Sequence, residues 1–161
     1  MVAIAGLIFL MVMIGLPAVQ RTQRDSQRKE NIAEMLTELK NFQTNNRGAV
    51  PTGTGTVNYS ADASGTSWAG FYHDYLGENF RDPNGSQYVL RVVRCNNTNG
   101  TQCTSEAGLT NIASATFPNE YKIYMVVGAK CDGTTAVGAE NPRKIAAMYK
   151  LEGGGVVCNN T

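Results

Sequence analysis

The order of apolar and polar positions divides the chain into three stretches. The first nineteen residues, MVAIAGLIFLMVMIGLPAV, hold neither a charge nor a polar amide. A helix over them is apolar all round and about 28 Å long. From Gln20 the pattern changes with no linker. RTQRDSQRKENIAEMLTELKNFQTNN has no Gly or Pro, and its Arg, Gln, Lys, Glu, Met, Leu and Ala lose little entropy in a helix. Asp25 and Lys29 stand i, i+4 with the acid first, the favourable order. Ile32, Leu36, Leu39 and Phe42, with Met35 beside them, follow the 3.6-residue period and form one apolar stripe that wants a domain to lie on. Asn45-Asn46-Arg47-Gly48 is a stop signal, with Gly48 expected as the left-handed residue after the last turn and Pro51 soon after. The pattern predicts one helix to about Asn46, about 70 Å long. Gly15 and Pro17 sit inside it. Proline removes a backbone hydrogen bond and collides with the carbonyl one turn back, so a kink or local unwinding is expected over Met13–Pro17.

Residues 48–161 read as a β-rich head on the helix of residues 1–47, whose apolar part is 1–20 and amphipathic part 21–47. AVPTGTGTVNYSADASGTSWAG is rich in Gly, Thr and Ser and reads as a long surface loop. WAGFYHDYLGENF reads as a short helix sealing that loop against the core. Asp82-Pro83-Asn84-Gly85 is a turn, because Pro fixes φ and Gly accepts positive φ. Strand patterns follow at Gln87–Arg94, Glu120–Ala129, Arg143–Gly153 and Val156–Asn159. No βαβ alternation is visible, so the expected class is α+β: a long helix packed on a small antiparallel sheet. One sheet face is expected on Ile32, Leu36, Leu39 and Phe42, the other toward solvent or a neighbouring subunit.

Composition narrows the chemistry. The formal charge is +1; residues 21–47 carry six basic and four acidic side chains, the head eight and nine. That balance is unlike a dedicated nucleic-acid binder, and no specific nucleic acid is readable. The cysteines are Cys95, Cys103, Cys131 and Cys158. An even number in a small loop-rich head points to two disulfides, and four cysteines permit three connectivities. The favoured one joins Cys95 to Cys103 around NNTNGTQ and Cys131 to Cys158. There is no CxxC pair and only one His, His73, so zinc is not expected. His73-Asp74 lie among aromatics with no nucleophile motif near, and read as packing or surface. Asp82, Asn84 and Ser86 alternate as calcium ligands do but lack further carboxylates, so a turn is the better reading. Asn58, Asn84, Asn96, Asn99 and Asn159 open Asn-x-Ser/Thr triplets, which arise easily in such a polar chain. No catalytic residue, cofactor or metal is assigned, and no enzymatic activity is expected.

Three accounts of the apolar start compete. A signal peptide needs basic residues before the apolar core and a small-x-small site after it; nothing basic precedes Met1, and Pro17 spoils Gly15-Leu16-Pro17-Ala18. A plain membrane anchor fits the length but usually gives way to a flexible linker. The third account is an apolar helix stored in a membrane and later buried among identical helices. MVAIAGLIFLMVMIGLPAVQ followed by RDSQRKENIAEMLTELKNF, with FRDPNGSQY as the turn into the sheet and late cysteines, resembles the type IV pilin family over residues 1–47. The resemblance implies a major pilin: a subunit of a homo-oligomeric helical filament, held in the inner membrane before assembly, then at the cell surface. It also implies a pilus assembly machinery as partner, and motility, adhesion or DNA uptake as uses. The core of the fibre would be Ile4, Leu7, Ile8, Leu10, Met11, Ile14 and Pro17, with a helix break at Gly15 and Pro17. Pilins carry a short leader and a Glu at the fifth mature residue; Ala5 stands here, so the processing site and assembly glutamate are matched to no residue. A type II secretion pseudopilin and a minor pilin are the near alternatives, and a monomeric membrane-anchored binding module the distant one. Arg24 and Arg28 on one turn, and Glu34 and Glu38 further on, form like-charged columns that repel within one helix. They are expected to pair across a stagger of about ten residues between parallel copies.

Overall fold

In a computed structural model, the structure describes residues 2–96, 100–103 and 121–161, with the side chains of 2–16 outside that description. Helix α1 runs from Val2 to Asn45 as one element. It stays helical through Gly15 and Pro17. Pro17 deprives the Met13 carbonyl of its donor, one bond in this 44-residue element. The helix closes one residue earlier than the glycine rule places it. Arg47 takes the left-handed conformation (φ 55°), and Gly48 follows with φ 78°. The Gly48 N–H then donates to the Gln43 carbonyl at 2.6 Å, and Asn46 N–H to Phe42 at 2.9 Å. This is the wrap that satisfies the last carbonyls of a helix.

The head begins with an edge strand, β1 (Gly55–Val57), and a single helical turn, α2 (Trp68–Phe71). Ser67 caps α2 by accepting from the Gly70 N–H at 3.1 Å. A wider π turn over Tyr72–Leu76 follows directly. Strands β2 (Val89–Arg94), β3 (Lys122–Val127), β4 (Ala129–Asp132), β5 (Thr135–Gly138), β6 (Ile145–Lys150) and β7 (Val156–Asn160) complete it. The main sheet has the order β1-β2-β3-β6-β7, and β4-β5 forms a separate hairpin. The α+β class and the helix-on-sheet arrangement hold, but the sheet is mixed. Strands β2 and β3 pair in parallel, Leu90 opposite Ile123 and Val92 opposite Met125, while the other neighbours are antiparallel. Parallel pairing needs a long crossover, and residues 95–121 separate the two strands.

The inner face of the sheet carries the main core. Leu90, Val92, Ile123, Met125, Ile145, Ala147 and Tyr149 pack with Ile32, Met35, Leu36, Leu39 and Phe42 of α1 and with Trp68, Phe71 and Tyr72. Each large side chain so buried contributes about 1.5–3 kcal/mol over exposure. Tyr72 is tied in by its hydroxyl, which donates to the Tyr88 carbonyl at 2.7 Å. The outer face is not open, as the alternation of β3 suggested. Val93, Val126, Ala146 and Met148 lie against Ala129 and Ala136 of the β4–β5 hairpin and against Cys103. Strand β6 is therefore buried on both faces from Ile145 to Tyr149, which is why IAAMY reads as a run and not as an alternation.

Candidate functional site

The residues that combine charge, burial and reach across elements meet where α1 joins the base of the head. Arg24, Asp25 and Arg28 share one side of the helix, a turn apart. The Arg28 guanidinium is 1% exposed and faces an Asp82 side chain that is 0% exposed. Its Nε donates to Asp82 Oδ2 at 2.5 Å and its Nη2 to Oδ1 at 2.9 Å. The fork-to-fork geometry is that of strong arginine–carboxylate recognition. Arg28 Nη1 also reaches Asp25 Oδ1 at 3.2 Å. Asp25 in turn accepts from the backbone N–H groups of Glu152 (2.7 Å) and Gly153 (2.9 Å), holding the turn between β6 and β7. Arg24 closes the cluster with two bonds to the Glu152 carboxylate, at 2.6 and 2.5 Å.

Local sequence explains why these groups are available. Asp82 occupies the turn foreseen at Asp82-Pro83-Asn84-Gly85: its Oδ1 accepts from Asn84 N–H at 3.0 Å, and Gly85 N–H donates to its carbonyl at 2.8 Å. The turn thus orients the carboxylate before Arg28 meets it. Glu152 sits in LEGGG, where Gly154 (φ 96°) and Gly155 (φ 87°) both adopt left-handed backbone. The hydrogen bonds and charge of Arg24, with Arg28 behind, hold the Glu152 carboxyl below the usual carboxylate range. Burial raises the Tyr88 phenol above its ordinary range, and the neighbouring Asp82 charge adds to it. Apolar surroundings likewise push Tyr149 up to about 12.

This arrangement is a clamp, and it changes the reading of the charged columns. Within the subunit, Arg28 is held by Asp82 and Asp25, and Arg24 by Glu152. Glu34 is exposed and Glu38 half-buried. The sequence showed the periodic charges of α1; their partners, Asp82 and Glu152, lie 54 and 128 residues away and carry no local signal beyond their turns. Below the clamp, Pro17–Gln23 are exposed, Val19 at 56%. The side chains of Ile4, Leu7, Ile8, Leu10, Met11 and Ile14 lie outside the described residues.

The transmembrane helix expected over residues 1–20 is withdrawn, and with it the membrane-embedded location before assembly. Among the described residues no helix is long and apolar enough to cross a membrane. The part of α1 whose side chains are described carries nine ionisable residues between Arg21 and Lys40, and several serve the head rather than a lipid interface.

Disulfides join Cys95 to Cys103 and Cys131 to Cys158, with Cα separations of 5.2 and 5.7 Å. The second bridges β4 to β7 and fastens the hairpin over the outer face. Neither cysteine pair offers a thiol for chemistry. His73 Nδ1 lies 2.7 Å from Asp74 Oδ1, and its ring stacks on Tyr59 at the surface. Among the described residues no group of His, Cys, Asp and Glu is arranged to hold a metal ion.

A long N-terminal helix packed on a β-sheet is compatible with the pilin superfamily but also occurs outside it. No family model, curated protein or solved structure matches this chain.

Proposed function

We propose that this chain is a structural subunit that polymerises into a filament of the type IV pilus kind, with α1 as the shared core and the head as the coat. The observation that carries the reading is the division of α1. One continuous helix lies on the head from Arg24 onward, and the same rod continues through exposed Pro17–Gln23 toward an N-terminal sequence of nineteen residues without a charge. Such a sequence gains most by burial against like sequences, at about 25 cal/mol per Å² of apolar surface. The clamp supports the reading by joining rod and head rigidly, as a subunit must. The helix–sheet architecture and the resemblance over residues 1–47 point the same way. The role is mechanical, and no catalytic step is assigned to the chain.

The test is self-association of the purified full chain, followed by sedimentation and negative-stain microscopy. The expected outcome is a filament that Ile8→Lys with Leu10→Lys abolishes, while circular dichroism and intact disulfides show a folded head. A wild-type chain that stays monomeric across all concentrations overturns the proposal in favour of a monomeric binding module.

A further inference from the structure

The flanks of α1 above the clamp differ in charge. On one side, Asn31, Glu34 and Glu38 form a groove with Tyr75, Asn79 and Arg81, enclosing about 210 Å³. Glu30 is exposed one turn before Glu34. Arg81 is the opposing charge at its rim and is turned toward its own Gly85 carbonyl. On the other side, Lys40 and Gln43 line a groove with Arg143 and Lys144, enclosing about 310 Å³. A second groove shares Lys144 and adds Lys130 and Glu140. Lys40, Lys130, Arg143 and Lys144 are all exposed. At 100° per residue, Lys40 stands about 160° around the helix from Glu38, with the buried stripe between them on the head side. The two grooves therefore open on opposite sides of the same rod.

We propose that these grooves are the two halves of one interface between copies of this chain: the Lys40–Arg143–Lys144 flank of one subunit docks into the Glu34–Glu38 groove of a parallel neighbour. The proposal rests on the filament reading and specifies its lateral contact. A patch on one side meeting a different patch on the other is a heterologous contact, which builds an open helix when the copies are offset along the axis and so cannot close into a ring. The levels of the two patches set the offset: bringing Glu34 and Glu38 beside Lys40 and Gln43 shifts one copy along the axis by about 8 Å. Complementary charges of this kind choose partner and register more than they add affinity, which the apolar helix supplies. The second copy is the occupant the charges favour. A free anion would meet only the basic flank and leave the acidic groove unexplained.

Mixed assemblies of ¹⁴N- and ¹⁵N-labelled chain, treated with a zero-length carbodiimide, give the decisive measurement. Expected are mixed-isotope cross-links from Lys40 or Lys144 to Glu34 or Glu38. Glu34→Lys with Glu38→Lys should weaken self-association at least about tenfold, because like charges then face each other. Adding Lys40→Glu and Arg143→Glu should restore it, a rescue that a misfolded variant cannot give. Assemblies whose mixed-isotope cross-links fall elsewhere, or which ignore the first pair of reversals, overturn this interface and leave the filament standing. A wild-type chain that does not assemble overturns both.

Discussion

Arg47 shows how a single residue can hold a conformation its side chain disfavours. It closes α1 with φ 55°, a backbone state that costs an L-residue about 1–2 kcal/mol. Gly48 beside it would tolerate that state freely but already occupies the next left-handed position, so the stop signal was visible and the position that turns was displaced by one. Arg47→Gly should therefore stabilise the fold by about 0.5–1 kcal/mol, seen as a melting temperature higher by about 1–4 °C. Calorimetry showing a fall instead would mean that the Arg47 side chain makes a compensating contact. Asp82 is the opposite case, a residue whose side chain does two things at once. Asp82→Asn keeps an oxygen for the Asn84 N–H but removes the charge that faces buried Arg28. The expected loss is about 3 kcal/mol in urea unfolding, because a buried cation is left with weaker compensation. Adding Arg28→Met should recover part of that loss; if the two substitutions simply add, the pair is not coupled.

Among the elements, those with a clean period were legible. The stripe Ile32, Leu36, Leu39, Phe42 is buried, at 0 to 6% exposure, and was fixed by the 3.6-residue spacing alone. Strands β2, β3 and β6 fall inside the stretches whose residues marked them, and β7 runs one residue past its expected end at Asn159. Those missed were short or lacked a pattern. β1 is three residues of Gly-Thr-Val at an edge, and β4 and β5 carry Lys, Cys, Asp, Thr and Gly in a hairpin stabilised by where it lies. The parallel pairing of β2 with β3 was hidden for a related reason. The crossover between them carries no helical period, and parallel order is set by the path of the chain rather than by the strands' own residues. At the site, the turn holding Asp82 was legible and its partner Arg28 was not, since nothing local joins residues 54 apart. The intrachain partners of Arg24 and Arg28 could not be read from α1 alone, because they lie on distant turns of the head.

For the whole molecule, the charged and aromatic groups set opposite limits on pH. The Glu152 carboxyl is held below its ordinary value by Arg24, so the unfolded chain binds its proton first as pH falls. Its contribution is complete above the ordinary carboxylate pKa of about 4.3 and disappears as pH falls through the depressed folded value. Urea unfolding at pH 7 and pH 3 should show a deficit in Glu152→Gln at pH 7 that is smaller at pH 3; a deficit unchanged by pH would remove the ionic explanation. The phenols act at the other end. Tyr149 is raised to about 12, and burial raises Tyr72 and Tyr88 as well. Their contribution is complete below the ordinary phenol value of about 10 and is lost as pH climbs through the folded values, so stability should fall above about pH 10.

The clamp also defines a path for force. A pull along α1 from its N-terminal end reaches the head first at Arg24, Asp25 and Arg28, and is handed to the turns at Asp82 and at Glu152–Gly153. The second of these turns leads into β7, which the Cys131–Cys158 bridge joins covalently to β4. Tension in the rod is thereby spread across the head through several bonds loaded together, and the apolar stripe from Ile32 to Phe42 lies behind them, sheltered from peeling until they yield.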